Sequence, residues 1–127
     1  MSSVVPDGYE RHARRSPLTD PWEPLYARTR ATDISLAVEL REPHCNSRGF
    51  AHGGLVSALA DNAMGWSAVA AARATLDPPP QGAVTVSLTL DFIDSANVGE
   101  WLEVRPVVHV VCGERLVARG SATFRLM

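Results

Sequence analysis

The chain has 127 residues, of which 46% are hydrophobic and 20% charged, with a formal net charge of -2. These proportions are typical of one soluble globular domain and argue against disorder or low complexity. All 12 basic residues are arginine, which excludes a phosphate-loop lysine and Schiff-base chemistry. The nearly balanced charge gives no electrostatic reason to bind nucleic acid.

The sequence shows no sign of a disulfide scaffold, a zinc ribbon or a membrane span. Cys45 and Cys112 stand far apart without a CxxC pair, and the first thirty residues lack a continuous apolar segment. The longest apolar stretch, 55–72, carries Asp61 and Asn62 near its middle, where a charge would be costly in lipid. We therefore expect a cytoplasmic protein without membrane association, metal or cofactor.

The beginning of the chain is predicted to be a loose arm. Residues 1–21 contain Pro6, Pro17 and Pro21 and show neither helical nor strand periodicity. Three large side chains follow, Trp22, Leu25 and Tyr26, and these are expected to anchor the arm on the domain. The predicted division is an arm over 1–21 and a folded domain over 22–127.

The rest of the chain predicts one helix among four strands. Apolar residues alternate over 33–41 and again over 84–92, and strands are also predicted over 101–111 and 116–126. Between the first two lies an Ala-rich, proline-free stretch that predicts a helix over 53–76, about 33 Å long. This order of elements favours an α+β domain, in which an antiparallel sheet wraps against one helix.

The two long faces of the predicted helix differ in side-chain size. The bulky face, which suits packing on the sheet, comprises Leu55, Val56, Leu59, Ala63, Trp66 and Val69 or Ala70. The other face is made of small residues together with one charge, namely Gly54, Ser57, Ala58, Asp61, Gly65, Ala68 and Ala72. The Asp61 carboxylate would be costly to bury in such surroundings unless it has a partner or a chemical role. The alternative is that Asp61 simply faces water.

Two glycines, Gly53 and Gly54, stand where the helix is expected to begin, although glycine is a poor helix former. The first turn of a helix presents unpaired N–H groups at its positive end, which suits an oxygen that carries negative charge. A tight turn without a ligand is the alternative. Taken singly, Asn46 is an ordinary turn residue and His52 an ordinary capping residue.

Taken together, these residues form a recognisable pattern. Residues 44–54 read H-x-N-x-x-G-x-x-H-G-G, and an acidic residue, Asp61, follows eight positions after Gly53. This pattern resembles the signature of hotdog-fold acyl-CoA thioesterases of the PaaI-like (phenylacetate-pathway) group. The resemblance covers residues 22–127 and implies a hotdog fold, an antiparallel sheet wrapped around one long central helix.

The resemblance also implies roles for individual residues. Asp61 would act on the thioester as general base or nucleophile, while the Gly53 N–H and the Asn46 side chain would hold its carbonyl oxygen. Thr85 would orient water, and His52 and Gly54 would shape the substrate-binding loop. For the CoA phosphates, the candidates are Arg115, Arg119 and Arg125, which share one face of a regularly alternating last strand.

The expected partners are an acyl-CoA substrate and further copies of the same chain, as a dimer or a dimer of dimers. Gly53 and Asp61 are about 12 Å apart along a helix axis and turned by roughly 80°, so one chain can hardly supply both to one thioester. Two alternatives to hydrolysis stay open: acyl-CoA binding without catalysis, by a regulator or a vestigial site, and dehydration of an acyl thioester. The intact set of Asn46, Gly53 and Asp61 favours hydrolysis.

Overall fold

One long helix lies against a seven-stranded antiparallel sheet in the computed structural model of the chain, which describes residues 5–106 and 109–126. The helix, α1, spans Gly53–Thr75. The strands are β1 Glu10–Arg11, β2 Tyr26–Thr29, β3 Ile34–Glu39, β4 Ala83–Phe92, β5 Trp101–Arg105, β6 His109–Cys112 and β7 Arg115–Leu126. Their order in the sheet is β1-β2-β3-β5-β6-β7-β4. The predicted α+β class and hotdog fold are confirmed.

Both ends of α1 follow from local sequence. At its start the His52 ring accepts a hydrogen bond from the Gly54 N–H at 2.8 Å, which satisfies one of the free amides of the first turn. At its end Leu76 is already extended, and the proline run beginning at Pro78 cannot continue a helix. Within the described ranges, no helix is both long and apolar enough to cross a membrane.

The helix buries its bulky face against the concave side of the sheet. The buried residues of α1 are Leu55, Val56, Leu59, Ala60, Ala63, Met64, Ser67 and Val69. The first six of these share the core with Leu36 and Val38 of β3 and with Leu102 and Val104 of β5. The small-residue face is only partly covered, so Asp61 keeps access to solvent.

Strand β3 is buried on both faces, although its alternation predicts a half-exposed strand. Ser35 and Ala37, on the side expected to face water, are only 1% and 0% exposed. The beginning of the chain provides the cover, because Tyr9 is buried there and stacks edge-on against Trp101 of the neighbouring strand at 5.6 Å.

The loose arm expected over 1–21 is therefore wrong for the described residues from Tyr9 onward. β1 pairs with β2, and the Tyr9 hydroxyl donates a 2.8 Å hydrogen bond to Glu103. His12 and Glu23 form a second buried contact of 2.7 Å. The division of the chain at residue 21 stays a prediction.

The single strand predicted over 101–111 is also wrong. β5 and β6 form an antiparallel hairpin in which Leu102 pairs with Cys112 and Arg105 pairs with His109. The reversal therefore falls between Arg105 and His109, and Pro106 is the residue of this connection that the structure describes. Proline lacks the N–H that a continuing strand would need, so Pro106 was the signal of the turn.

The edge strand β4 is largely exposed. Val86 is 63% exposed and Phe92 54%, whereas Leu88 and Leu90 turn toward the core. Strand β4 pairs with β7 alone, so its other edge carries backbone groups without a strand partner among the described residues. Long, apolar edges of this kind invite pairing with another chain.

Candidate functional site

Asp61 lies in the third turn of α1 and faces the edge strand β4. The Thr85 hydroxyl donates a hydrogen bond of 2.5 Å to Oδ1 of Asp61. Asp61 is partly buried and Thr85 exposed, so the pair stands at the mouth of a cavity rather than in the core. This cavity, of about 300 Å³, is lined by Arg14, Asp61, Asn62, Gly65, Trp66, Val69, Gln81, Gly82, Ala83 and Thr85.

A β-bulge in β4 turns Thr85 toward the helix. Thr85 pairs with Phe124 and Ser87 with Thr123, so β4 advances by two residues where β7 advances by one. The extra residue inverts the alternation of side chains across the bulge. Thr85 therefore shares the helix-facing side with Leu88, whereas strict alternation would have pointed it away.

Asn46 holds together the loop that precedes α1. Its side-chain oxygen accepts hydrogen bonds from the N–H groups of Arg48, at 2.9 Å, and Phe50, at 3.1 Å. Gly49 completes the turn with a φ of +82°, a conformation that favours glycine. Asn46 is thus a turn residue, and its amide N–H groups have no hydrogen-bond partner among the described residues.

Gly53 presents a backbone N–H at the positive end of α1. No described residue accepts a hydrogen bond from this N–H, whereas His52 caps that of Gly54. The cavity at this end is lined by Asn46, Phe50, Ala51, Gly53, Phe92, Ile93, Asp94 and Ser95. Asn46 and Gly53 thus line one cavity, and their roles as donors to a carbonyl oxygen stay a prediction.

The two histidines of the loop have structural contacts. His52 caps α1, and a side chain at Gly54 would approach the His52 ring to 3.0 Å, so a glycine suits that position. His44 is buried; its ring accepts from the Arg41 N–H and donates to the Trp22 carbonyl, both at 2.8 Å. Burial lowers the pKa of His44, and the nearby Arg41 adds to the effect.

A third cavity of about 410 Å³ lies beside the first two turns of α1. It is lined by Leu18, Trp22, Pro43, His44, Cys45, His52, Gly54, Leu55 and Ala58. Burial raises the pKa of the Cys45 thiol, which disfavours a reactive thiolate there. In one chain the residues predicted for the site are thus divided: Asp61 and Thr85 line one cavity, Asn46 and Gly53 a second, His52 and Gly54 the third.

The three arginines predicted to share a face do not form one cluster. Arg115 contacts Asp94 at 3.2 Å and Glu100 at 2.8 Å, while Arg119 lies 3.9 Å from Asp91. Leu116 and Ala118 of β7 pair with two consecutive residues of β6, so β7 has one extra residue at this point. This β-bulge places the Arg115 side chain on the opposite face of the strand from Arg119 and Arg125. The common-face prediction is wrong for Arg115.

The fold and the position of these residues define a hotdog domain with a carboxylate on its central helix. The thioesterase superfamily model matches residues 48–111, which include Gly53, Asp61 and Thr85. The chain belongs to the thioesterase superfamily. The predicted recognition of a hotdog-fold thioesterase is thereby confirmed.

Three similar proteins extend this finding. A candidate esterase of Pseudomonas aeruginosa is 42% identical, covering 96% of this chain and 97% of its own length. A hypothetical thioesterase of Streptococcus pneumoniae, solved with coenzyme A, has a TM-score of 0.69 at 15% identity over 84% of this chain and 90% of its own. A variant of the phenylacetic acid degradation protein PaaI from Thermus thermophilus has a TM-score of 0.66 at 24% identity, covering 86% and 97%. The two structures agree in fold, and the first relative extends the similarity across the arm.

The cavity around Asp61 is also lined by residues for which the sequence predicts no role in the site. Arg14 comes from the supposedly loose arm, and Gln81 from the segment between α1 and β4. Trp66 had been assigned to the buried face of the helix, yet it is only partly buried and lines this cavity. The position of Arg14 follows from the pairing of β1 with β2, which no local sequence pattern predicts.

Proposed function

We propose that the protein hydrolyses acyl-CoA thioesters to a free acid and CoA, with Asp61 as general base or nucleophile. The observation that carries this proposal is the hydrogen bond between Asp61 of the helix and Thr85 of β4 in a thioesterase-superfamily domain. The coenzyme A in the Streptococcus pneumoniae structure supports a CoA ester as the substrate class.

The Asp61–Thr85 pair suits activation of water. The Thr85 hydroxyl donates a hydrogen bond to Asp61, so the lone pairs of the hydroxyl oxygen remain available to orient a water molecule. In the general-base route Asp61 takes a proton from this water as the water oxygen attacks the carbonyl carbon. The C–S bond then breaks and the proton passes to the CoA thiolate. In the nucleophilic route the carboxylate attacks the carbonyl carbon first and the C–S bond breaks, which releases CoA as a thiolate that takes a proton from solvent. Water then hydrolyses the resulting anhydride, which releases the acid and restores Asp61.

The Gly53 N–H and the Asn46 amide suit stabilisation of the developing oxyanion. Both border one cavity, and the N–H lies at the positive end of a long helix. A preorganised donor of this kind contributes about 2.7–4 kcal/mol to transition-state stabilisation. His52 and Gly54 keep the first turn in place through the cap.

A complete site then requires two copies of the chain. Asp61 and Gly53 line different cavities, and eight residues of helix separate them by about 12 Å along the axis. The exposed apolar edge of β4 offers a surface for a second copy, and a two-fold axis would bring the first turn of one helix opposite Asp61 of the other. We therefore infer a homodimer with two shared sites, alone or paired into a tetramer.

The decisive experiment follows thiol release from a panel of acyl-CoAs of different length, charge and aromatic content. Hydrolysis releases one CoA thiol for each acid formed, and a thiol reagent reports it continuously. A non-catalytic acyl-CoA-binding protein would bind the panel without releasing thiol. A dehydratase would form an unsaturated acyl-CoA from a 3-hydroxyacyl-CoA, again without free thiol. Either result would overturn the proposal.

A further inference from the structure

The arm brings a positively charged side chain into the Asp61 cavity. The Arg14 guanidinium carbon lies 5.5 Å from the centre of the Trp66 ring, and both side chains line this cavity. Arg14 forms no ion pair with any described residue. Because a guanidinium stacked on a ring leaves its N–H edges free, Arg14 can still bind an anion side-on.

The arm holds Arg14 in position through several contacts close by in sequence. Arg11 and His12 both contact the Glu23 carboxylate, at 3.3 and 2.7 Å, and the His12 N–H donates to the Leu25 carbonyl at 3.2 Å. The His12 ring also lies 5.8 Å from the Trp66 ring. Arg14 follows His12 by two residues, so its backbone starts from a fixed point on the domain.

The other polar side chains of the cavity are also hydrogen-bond donors. Asn62 and Gln81 line it with their amides, which have no side-chain hydrogen bond among the described residues. Asp61 is the only acidic residue of the lining, and Thr85 already donates to it. Asn62 lies next to Asp61 in the chain, whereas the Gln81 carbonyl accepts a hydrogen bond from Arg73, one turn of the helix beyond Val69. The part of the cavity away from Asp61 therefore combines the Arg14 cation with the Gln81 amide and suits a carboxylate, provided that this carboxylate stays away from Asp61.

The helix supplies the necessary separation. The lining residues Asp61, Gly65 and Val69 recur every four positions, so the cavity follows α1 for about 12 Å from Asp61. Trp66, under Arg14, lies about 7.5 Å along the axis from Asp61. A thioester carbonyl near Asp61 can thus be joined by a short carbon chain to a charged group near Arg14.

Resting on the hydrolysis proposed above, we propose that Arg14 selects acyl groups with a carboxylate at the far end, that is, CoA monothioesters of dicarboxylic acids. Arg14 is a specificity-determining residue here, and the arm that carries it is part of the substrate pocket. Neutral acyl groups of the same length lack the partner for this cation.

The test compares adipoyl-CoA with hexanoyl-CoA, which have equal chain length but differ in the terminal carboxylate. The wild-type kcat/KM should be higher for adipoyl-CoA. Arg14→Gln should lower the adipoyl-to-hexanoyl ratio of kcat/KM by about ten- to a hundredfold, mainly through KM, as for loss of a hydrogen bond to a charged group. Arg14→Lys, which keeps the charge, should recover part of the ratio.

Arg15→Gln is the matched control, because the neighbouring guanidinium pairs with Asp20 and does not line the cavity. It should leave the ratio within twofold of wild type. No wild-type preference for adipoyl-CoA, or an equal loss for both esters in Arg14→Gln, would overturn the proposal.

A binding experiment separates this proposal from the hydrolytic one. Calorimetric titration of Asp61→Asn protein with each ester measures affinity without turnover. Tighter binding of adipoyl-CoA that depends on Arg14 supports the carboxylate site even if no thiol is ever released. Equal affinities for the two esters would overturn it even if hydrolysis of other acyl-CoAs is established.

Discussion

The Thr85 hydroxyl donates to Asp61 across the boundary between the edge strand and the helix. This contact depends on the bulge between Thr85 and Ser87, since a regular strand would turn the hydroxyl to the opposite face. The hydroxyl and the carboxylate therefore belong to one unit, and changing either should be visible in the rate of hydrolysis.

Thr85→Val removes the hydroxyl and keeps the shape of the side chain. We expect kcat to fall about ten- to a hundredfold, the effect of losing one hydrogen bond to a charged group. Thr85→Ser, which keeps the hydroxyl, should stay within severalfold of wild type in the same thiol-release assay. Equal activities of the valine and serine variants would show that the hydroxyl has no part in the reaction.

Asp61→Asn keeps the size of the side chain and removes the carboxylate that we propose as general base or nucleophile. We expect thioester hydrolysis to fall by about 10² to 10⁴, while the melting temperature changes little because Asp61 is only partly buried. Asp77→Asn, an exposed change just beyond the helix, serves as the control. Wild-type turnover by the Asp61→Asn protein would contradict the assignment.

Two substitutions separate the turn contacts of Asn46 from its proposed role as an oxyanion donor. Asn46→Asp keeps an oxygen for the Arg48 and Phe50 amides but loses the side-chain N–H donors, so kcat should fall about ten- to a thousandfold with little loss of stability. Asn46→Ala removes both functions and should also lower the melting temperature by a few degrees. If Asn46→Asp were fully active and only the alanine variant impaired, Asn46 would be a turn residue alone.

The shared site can be tested by mixing two inactive variants, Asp61→Asn and Asn46→Asp, after dissociation and reassociation. Random pairing makes half of the dimers mixed, and each mixed dimer has one intact and one doubly changed site. Activity should therefore recover to about a quarter of wild type. Subunit exchange verified by mass, without recovered activity, would assign each site to a single chain.

His44 predicts a loss of stability on the acid side of neutrality. Its folded-state pKa lies below the ordinary value of 6.5, mainly because of burial, so the unfolded chain takes up the proton first as the pH falls. The free energy of unfolding should decrease below about pH 6.5, by up to about 1.4 kcal/mol per pH unit from this group.

Urea denaturation at pH 7.5 and 5.5 measures this effect. His44→Gln should be less stable at pH 7.5, because two buried hydrogen bonds are changed, but it should show a smaller difference between the two pH values. His52→Asn, at an exposed helix cap, should keep the wild-type pH dependence. A full pH dependence in His44→Gln would locate the acid sensitivity elsewhere.

The sequence was sufficient for the features that depend on local pattern. The helix over Gly53–Thr75 follows from an Ala-rich stretch with a proline stop, and β7 from a long run after the turn at Gly113. The meeting of Asn46 and Gly53 at one cavity also follows from their closeness in the chain.

Features that depend on pairing between distant segments were not predictable in this way. The bulge at Thr85 exists only in relation to the register of β7, and the burial of Ser35 depends on Tyr9 from the arm. The presence of Arg14 in the Asp61 cavity depends on the arm, whose strand β1 pairs with β2. The hairpin between β5 and β6 is different, because Pro106 is a local signal of a turn, although the apolar residues on both sides of it favour one continuous strand.

The strand order has a consequence for how the chain folds. β3 pairs with β5, although α1 and β4 lie between them in the sequence. β4 pairs only with β7, which is the last strand in the chain. The hairpins β2–β3, β5–β6 and β6–β7 are local and can form first, whereas the β3–β5 and β4–β7 pairings must wait for long loops to close. We expect refolding on a timescale of roughly milliseconds to seconds, with the edge strand among the last elements to be protected from hydrogen exchange.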